Sequence, residues 1–127
     1  MPSTKIELKS GRDKNFLIKL KNAVMDCVVE TLRLPEKDRN IRVIEHDAEL
    51  FETKPPYEVI IEISMFSGRT KETKRNLFSA IGQRLECDGL FDRKQILIII
   101  NEQPRENWGV RGCRPADEVD LGFVVEV

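Results

Sequence analysis

The spacing of hydrophobic residues along the chain changes between the alternation typical of strands and the spacing typical of helices. These changes predict where its strands and helices lie. Residues 4–8 (TKIEL) alternate between apolar and polar side chains, as half-buried strands do, and residues 58–66 (EVIIEISMF) form a longer strand-like stretch. Further short strands are predicted at residues 41–44 (IRVI) and 95–100 (QILIII). Between each pair of strands, apolar residues recur at helical spacing. They are Leu17, Leu20, Val24, Cys27 and Val28 in the first helix, and Leu77, Ala80, Ile81 and Leu85 in the second.

The two halves of the chain resemble each other at an offset of 57 residues. Residues 10–12 (SGR) match residues 67–69 (SGR), and apolar helix positions match at the same offset. Each SGR turn precedes an N-cap candidate, Asp13 or Thr70, and Gly89 is a stop signal for the second helix. The duplication predicts two β-α-β units, each with parallel strands joined by a right-handed crossover.

We therefore predict a two-layer α+β sandwich, in which a four-stranded mixed sheet carries both helices on one face. A single domain is expected over residues 1–127, with the first repeat at about 2–47, the second at about 57–102, and a C-terminal hairpin and strand over 103–127. The hairpin is predicted around residues 108–112 (WGVRG), and alternating apolar residues between Val119 and Val125 predict a late strand that pairs with a neighbouring chain.

The open face of this sheet indicates an oligomer. Residues 96–100 (ILIII) are apolar on both sides of their strand, whereas the helices cover only one face. Another subunit is the simplest cover for the exposed apolar side.

Composition narrows the classes of function. The 127 residues are 40% hydrophobic and 34% charged, with a net charge of −1, so no electrostatic argument favours nucleic acid or a membrane surface. The longest apolar run is far too short to span a bilayer, and the lack of an apolar signal region predicts a cytoplasmic protein. Three scattered cysteines and one histidine indicate free thiols and make a zinc site improbable.

Pro2, directly before the first strand, has two interpretations. The first residue of a strand is one of the few places where a sheet tolerates proline, so Pro2 can be purely structural. Removal of Met1 would instead convert its ring nitrogen into a free secondary amine. Such an amine could serve as a base near neutral pH.

The motifs, taken together, resemble the tautomerase superfamily, which includes 4-oxalocrotonate tautomerase, macrophage migration inhibitory factor and malonate semialdehyde decarboxylase. They are Pro2, the Gly-Arg turn at 11–12, LPEKDR at 34–39, SGRTKETKR at 67–75 and ENWGVRG at 106–112. The last two are most similar to the branch related to malonate semialdehyde decarboxylase. The resemblance covers nearly the whole chain and implies a homotrimer.

The resemblance implies catalytic roles for three residues and a substrate-binding role for a fourth. Pro2 matches the family's catalytic proline, Asp38 the acidic residue after a Leu-Pro turn, and Arg69 the arginine that leads into the second helix. Trp108 matches the active-site aromatic of the late hairpin. Each also has an ordinary alternative: Arg69 as a surface or turn residue, Asp38 as a turn residue, and Trp108 as a core side chain.

Three further arginines are candidates for substrate binding. Arg12 and Arg42 match functional arginines of 4-oxalocrotonate tautomerase. The decarboxylase has an Arg-x-Arg pair where this chain has Ser67 before Arg69. Arg111 and Arg114, beside the hairpin, are candidates to replace the missing arginine, and Arg111 is the one assigned to substrate binding. The serine weakens the expectation of decarboxylase chemistry.

The predicted function is that of a keto–enol tautomerase, an isomerase that acts on a small 2-oxo acid without a metal or organic cofactor. Two alternatives stay open. One is a decarboxylase or hydratase of a three-carbon acid such as malonate semialdehyde. The other is a trimeric interaction protein in which Pro2 has no catalytic role.

Overall fold

The computed structural model describes residues 2–127, and it contains the four strands and two helices predicted for the two repeats. Removal of Met1 concerns a position outside the described residues. The main elements are β1 (Ser3–Lys9), α1 (Lys14–Leu32), β2 (Ile41–His46), β3 (Val59–Phe66), α2 (Lys71–Cys87) and β4 (Ile96–Gln103). A hairpin of β5 (Gly109–Val110) and β6 (Arg114–Pro115) follows. The strands β2 and β4 extend two and three residues beyond their predicted ends, because they remain paired with β1 and β3 there.

The four long strands form one mixed sheet in the order β2-β1-β3-β4. Within each repeat the two strands are parallel, whereas β1 and β3 pair antiparallel across the centre, with Ser3 opposite Ser64. The start of β1 therefore lies at the same end of the sheet as the carboxyl end of β3. We call this the Pro2 end, and the opposite end, beyond Lys9, the Arg12 end.

The helices begin where the sequence predicts. The side chain of Asp13 accepts a hydrogen bond from the Phe16 amide at 2.8 Å, and Thr70 Oγ1 accepts one from the Thr73 amide at 3.1 Å. These contacts satisfy backbone donors that have no partner within the helix. Each cap therefore fixes where the chain leaves the SGR turn.

Both helices pack on one face of the sheet, as the apolar stripes predict. The fully buried side chains include Ile6, Leu8, Ile61 and Ile63 from the strands, Leu20, Val24 and Val28 from α1, and Leu77, Ile81 and Leu85 from α2. The opposite face is less uniformly apolar than expected. Its central strands carry Lys5 with Glu7 and Glu62, both at 3.1 Å, while Ile99 on β4 is 36% exposed.

The predicted late strand between Val119 and Val125 does not form within the protomer. Gly122 adopts a φ of +79°, and its amide donates to Asp120 Oδ1 at 3.0 Å, which turns the chain out of the extended conformation. Leu121 and Val125 are instead buried in a cluster around Phe66. Pairing of this segment with a neighbouring chain stays a prediction.

The duplication is visible in the backbone. Ser10 N donates to His46 O at 2.8 Å, and at the same offset of 57 residues Ser67 N donates to Gln103 O at 2.9 Å. The glycines that follow these serines have φ of +126° and +127°, a conformation that favours glycine. No helix within residues 2–127 is both long and apolar enough to span a membrane.

Candidate active site

A groove of about 470 Å³ opens at the Pro2 end of the sheet. Its lining comes from three separate parts of the chain: Pro2 and Ser3, residues 39–42, and residues 108–110. Parallel pairing of β1 with β2 brings the first two together, and the loop after β4 returns Trp108 to the same end. Pro2 itself is buried. We call this cavity the Pro2 groove.

Two arginines that line the groove are held by hydrogen bonds to neighbouring side chains. Arg42 Nη1 donates to Ser3 Oγ at 2.9 Å, and Arg39 Nη1 donates to Asp26 Oδ1 at 2.8 Å. A guanidinium has five N–H donors, so each arginine retains donors for a further acceptor. Positive charge is therefore available beside Pro2.

Arg69 is buried at the same end of the sheet, with 5% of its surface exposed. Its Nη1 donates to the main-chain oxygen of Phe66 at 3.3 Å, while Nε and Nη2 have no acceptor within residues 2–127. Burial lowers the pKa of Arg69, although the charges of Glu102, Glu126 and Asp38 act in the opposite direction. Arginine nevertheless stays protonated in proteins, so a desolvated cation lies here with two free donors.

Trp108 connects the surroundings of Arg69 with the groove. Its ring meets that of Phe66 edge to face, with 5.1 Å between centroids and 79° between planes. The Nε1 donor is buried and has no acceptor within the described part of the chain. The indole thus lines the groove while packing on the residue whose carbonyl holds Arg69.

Asp38 lies in the turn before β2, next to the groove residue Arg39. Its amide donates to Pro35 O at 2.9 Å, so it has the ordinary turn role that its position after Leu-Pro indicates. Its side chain is half-buried, and its negative charge favours the cationic form of Arg69, although less than the charges of Glu102 and Glu126 do. The structure therefore brings Asp38 and Arg69, from different repeats, to one end of the sheet.

Of the predicted site residues, only Pro2, Arg42 and Trp108 line the Pro2 groove; Arg69 and Asp38 lie at the same end of the sheet outside its lining, and Arg12 and Arg111 do not line it either. Arg12 lies at the Arg12 end, where its guanidinium sits over the rings of Phe16 and Phe91 at 5.1 and 4.9 Å. Arg111 donates to two backbone carbonyls of the C-terminal segment, those of Asp120 and Leu121, the latter at 2.9 Å. The role of Arg111 visible in the protomer is to hold that segment.

The positions of Ser67 and Arg39 in the structure could not be predicted from the motifs. Ser67 is exposed, so the position where the decarboxylase has an arginine faces solvent in the protomer. Arg39 was not among the candidate residues, yet it lines the groove. Its only sequence signal is its place beside Asp38 in LPEKDR.

Residues 33–111, more than half of the chain, match the family model described as tautomerase enzyme. Two curated relatives come from Bacillus subtilis (strain 168). "Probable tautomerase YusQ" is 26% identical over 116 residues, which cover 85% of this chain and 91% of that protein. "Probable tautomerase YrdN" is 27% identical over 116 residues, with 85% and 89% covered.

Solved structures of similar fold include a malonate semialdehyde decarboxylase and a fused 4-OT. FG41 malonate semialdehyde decarboxylase inhibited by 3-bromopropiolate is 29% identical, with a TM-score of 0.76 over 84% of this chain and 86% of that one. Native fused 4-OT has a TM-score of 0.83 over 95% and 99% of the two chains; at 20% identity, this likeness concerns the fold alone.

Proposed function

The chain belongs to the tautomerase enzyme family, and on that premise we propose that it interconverts the keto and enol forms of a small 2-oxo acid, with Pro2 as the general base. The observation that carries the proposal is the position of Pro2, which is buried and shares a groove with two guanidinium groups and an indole. That combination provides a base, a site for a carboxylate and a wall against water.

The base is the ring nitrogen of Pro2 once Met1 is absent. An α-amino group has a pKa of about 7.7–8.0 in model peptides. The positive charge of Arg42 in the same groove disfavours the cationic form of this amine, whereas the charge of Arg39 is offset by its ion pair with Asp26. The nitrogen is therefore available as a free amine near neutral pH, where general-base catalysis is efficient.

The proposed reaction moves one proton. Pro2 removes a proton from the carbon next to the ketone, a carbon–carbon double bond forms, and the electrons of the carbonyl bond move to oxygen. The protonated amine then returns the proton to that oxygen, which gives the enol and regenerates the base. No electron donor or acceptor is required.

The arginines divide two tasks. Arg42 and Arg39 line the groove, and their remaining N–H donors fit the oxygens of the substrate carboxylate. Arg69 has two buried donors that find no acceptor in the described part of the chain, and it stabilises the negative charge that develops on the ketone oxygen. Trp108 closes the groove against water, which strengthens these charge interactions.

A second reaction class is favoured by one specific observation. The malonate semialdehyde decarboxylase is 29% identical to this chain, and Asp38 lies in the turn directly before the groove residue Arg39. In this alternative, Asp38 orients a water for hydration, or the groove releases carbon dioxide from a three-carbon 3-oxo acid. The exposed Ser67 in place of an arginine argues against it.

Two assays separate these functions, one by ultraviolet absorbance and one by release of carbon dioxide. Phenylpyruvate tests tautomerisation, and release of carbon dioxide from malonate semialdehyde tests decarboxylation. We expect turnover of phenylpyruvate that Pro2→Ala reduces and that Pro104→Ala, a matched change at an exposed proline, does not. Equal loss in both variants, or no turnover of phenylpyruvate by protein that lacks Met1, would contradict the tautomerase proposal. No turnover of either compound would favour the non-catalytic alternative.

A further inference from the structure

A second cavity, of about 310 Å³, lies at the Arg12 end of the sheet, away from the Pro2 groove. Its lining includes Lys9, Arg12, the Pro55–Pro56 pair, Tyr57, Glu58 and Gln95. We propose that this cavity is a second, non-catalytic binding site for a small carboxylate with an apolar body. The proposal does not depend on any chemistry at Pro2.

The duplication makes this cavity the counterpart of the Pro2 groove. At the offset of 57 residues, Arg12 corresponds to Arg69 and Gln95 corresponds to Asp38. The turns that hold Gln95 and Asp38 are the same: Asp38 N donates to Pro35 O and Gln95 N to Asp92 O, both at 2.9 Å. The second cavity therefore lies beside turns equivalent to those at the Pro2 end, although Arg69 and Asp38 themselves are not among the residues that line the Pro2 groove.

The repeat also extends into the loops that close the two cavities. The 3₁₀ turn Ala48–Leu50 precedes the second cavity's loop, and its counterpart Arg105–Asn107 precedes the hairpin at the Pro2 groove, again 57 residues apart. Thr53 in the second cavity corresponds to Val110 in the groove. Thr53 and Val110 are therefore lining residues that correspond directly between the two cavities.

The second cavity lacks the base. Val59 stands in the sequence where the offset would place a second copy of Pro2, and its nitrogen is a peptide nitrogen inside the strand β3. A peptide nitrogen has no proton-accepting lone pair at neutral pH. Carboxylate binding is therefore separated from proton transfer at this site.

The charges around the second cavity favour an anion. Within residues 2–127, neither Arg12 nor Lys9 forms an ion pair or a side-chain hydrogen bond with a protein group. Glu58 accepts a hydrogen bond from the neutral Gln95 at 2.8 Å and keeps its charge, so two cations face one carboxylate. Stacking on Phe16 and Phe91 fixes the Arg12 guanidinium without using its N–H donors. These donors remain available for a carboxylate.

The apolar wall residues and the volume of the second cavity indicate the size and polarity of the part of the ligand that carries the carboxylate. Pro55, Pro56 and Tyr57 provide apolar surface beside the two cations. The volume is near the lower limit of the roughly 300–1,000 Å³ that is typical of small-molecule sites. A compact ring or short chain with one carboxylate fits, so benzoate is a suitable probe, and benzamide is its neutral match.

The chain carries its own reporters for the two cavities. Tyr57 is the only tyrosine and lines the second cavity, whereas Trp108 is the only tryptophan and lines the Pro2 groove. Full-length protein labelled with 3-fluorotyrosine and 5-fluorotryptophan therefore gives one fluorine signal for each cavity. During a titration with benzoate, the fluorine signals of Tyr57 and Trp108 are both measured in the same sample.

We expect benzoate, but not benzamide, to shift the Tyr57 signal saturably. Arg12→Gln should weaken this binding at least about tenfold, as expected for loss of a hydrogen bond to a charged group. Arg75→Gln, the same change at an exposed arginine of α2, should leave it unaltered. Arg12→Lys retains the charge, so its affinity for benzoate should stay within a few-fold of that of the unaltered protein. This variant tests the role of the charge if Arg12→Gln does not fold.

Two results would overturn the inference: no response of Tyr57 to benzoate, or an equal response to benzoate and benzamide. The Trp108 signal tests the Pro2 groove separately. A response at Tyr57 with none at Trp108 would support the second site while counting against carboxylate binding in the groove.

Discussion

The buried guanidinium of Arg69 is held by the main-chain oxygen of Phe66, to which its Nη1 donates at 3.3 Å. Phe66 ends β3, and its ring packs against Trp108, which lines the Pro2 groove. One residue thus contacts both a desolvated cation and the aromatic wall of the groove. Two Arg69 donors have no acceptor among residues 2–127, and buried donors in this state are costly unless an acceptor binds.

Arg69→Ala should lower kcat/KM for the tautomerised acid by about 10²-fold or more. An interaction directed at charge that develops in the transition state is worth about 2.7–4 kcal/mol, which corresponds to a loss of this size. Steady-state kinetics with phenylpyruvate give the value. Because Arg69 is buried, a thermal melt must accompany the kinetics.

Arg12→Ala is the matched variant from the other repeat, and it should reduce kcat/KM less than Arg69→Ala. Arg12 lies at the opposite end of the sheet from Pro2, over two aromatic rings. If the order of severity were reversed, the assignment of the substrate site to the second SGR turn would be wrong.

We propose that the protein is a homotrimer and that the sheet face opposite the helices lies in its interface. Obligate interfaces usually bury about 2,000 Å² or more, so the trimer should persist at micromolar concentration. Ile99→Glu, on that face, should lower the mass measured by light scattering. Ile18→Glu is the control, because Ile18 is a comparably exposed isoleucine on α1, at 46% against 36%.

A monomeric mass for the unaltered protein would refute the trimer. Dissociation by Ile18→Glu but not by Ile99→Glu would place the interface on the helical side instead.

Cys27 should be the slowest of the three thiols to react. Burial raises its pKa to about 11, whereas Cys87 and Cys113 are exposed. Because the thiolate is the reactive form, roughly a thousandth of Cys27 is reactive at pH 8, even before its burial restricts access. Ellman's reagent should therefore react rapidly with two thiols per chain and with the third only after denaturation.

The cysteine variants provide the control. Cys27→Ser should leave the rapid count at two, and Cys87→Ser should lower it to one. A rapid count of three in the native protein would contradict the burial of Cys27.

The sequence predicts the sheet, the helices and their caps because these depend on local periodicity and on turn chemistry. Asp13 and Thr70 cap their helices as their positions indicate. The ends of β2 and β4 were underestimated, since strand length depends on pairing with another part of the chain. Motifs also locate Pro2 and Trp108, which the groove contains.

Other features depend on contacts that periodicity does not contain. The alternation from Val119 to Val125 is that of a strand, yet within one chain this segment gains more by burying Leu121 and Val125 against Phe66. Arg39 enters the groove only through the spatial arrangement of β1 and β2. The local signals for both are weak: Gly122 for the turn that ends the alternation, and the place of Arg39 beside Asp38 in LPEKDR.

The central claim is that the ring nitrogen of Pro2 acts as the base. With Met1 attached this nitrogen is a tertiary amide, so it cannot accept a proton. Pro2→Ala provides a primary amine with looser orientation and should lose about 10²-fold or more in activity, the range of positioned acid–base groups.

The most direct test compares preparations that differ in processing of Met1. Intact mass spectrometry gives the fraction of chains that begin at Pro2, and the phenylpyruvate assay gives specific activity. The account predicts that specific activity rises in proportion to that fraction and extrapolates to zero when every chain retains Met1. Full activity in a preparation that wholly retains Met1 would contradict it, and Pro2 would then be only the residue that leads into β1.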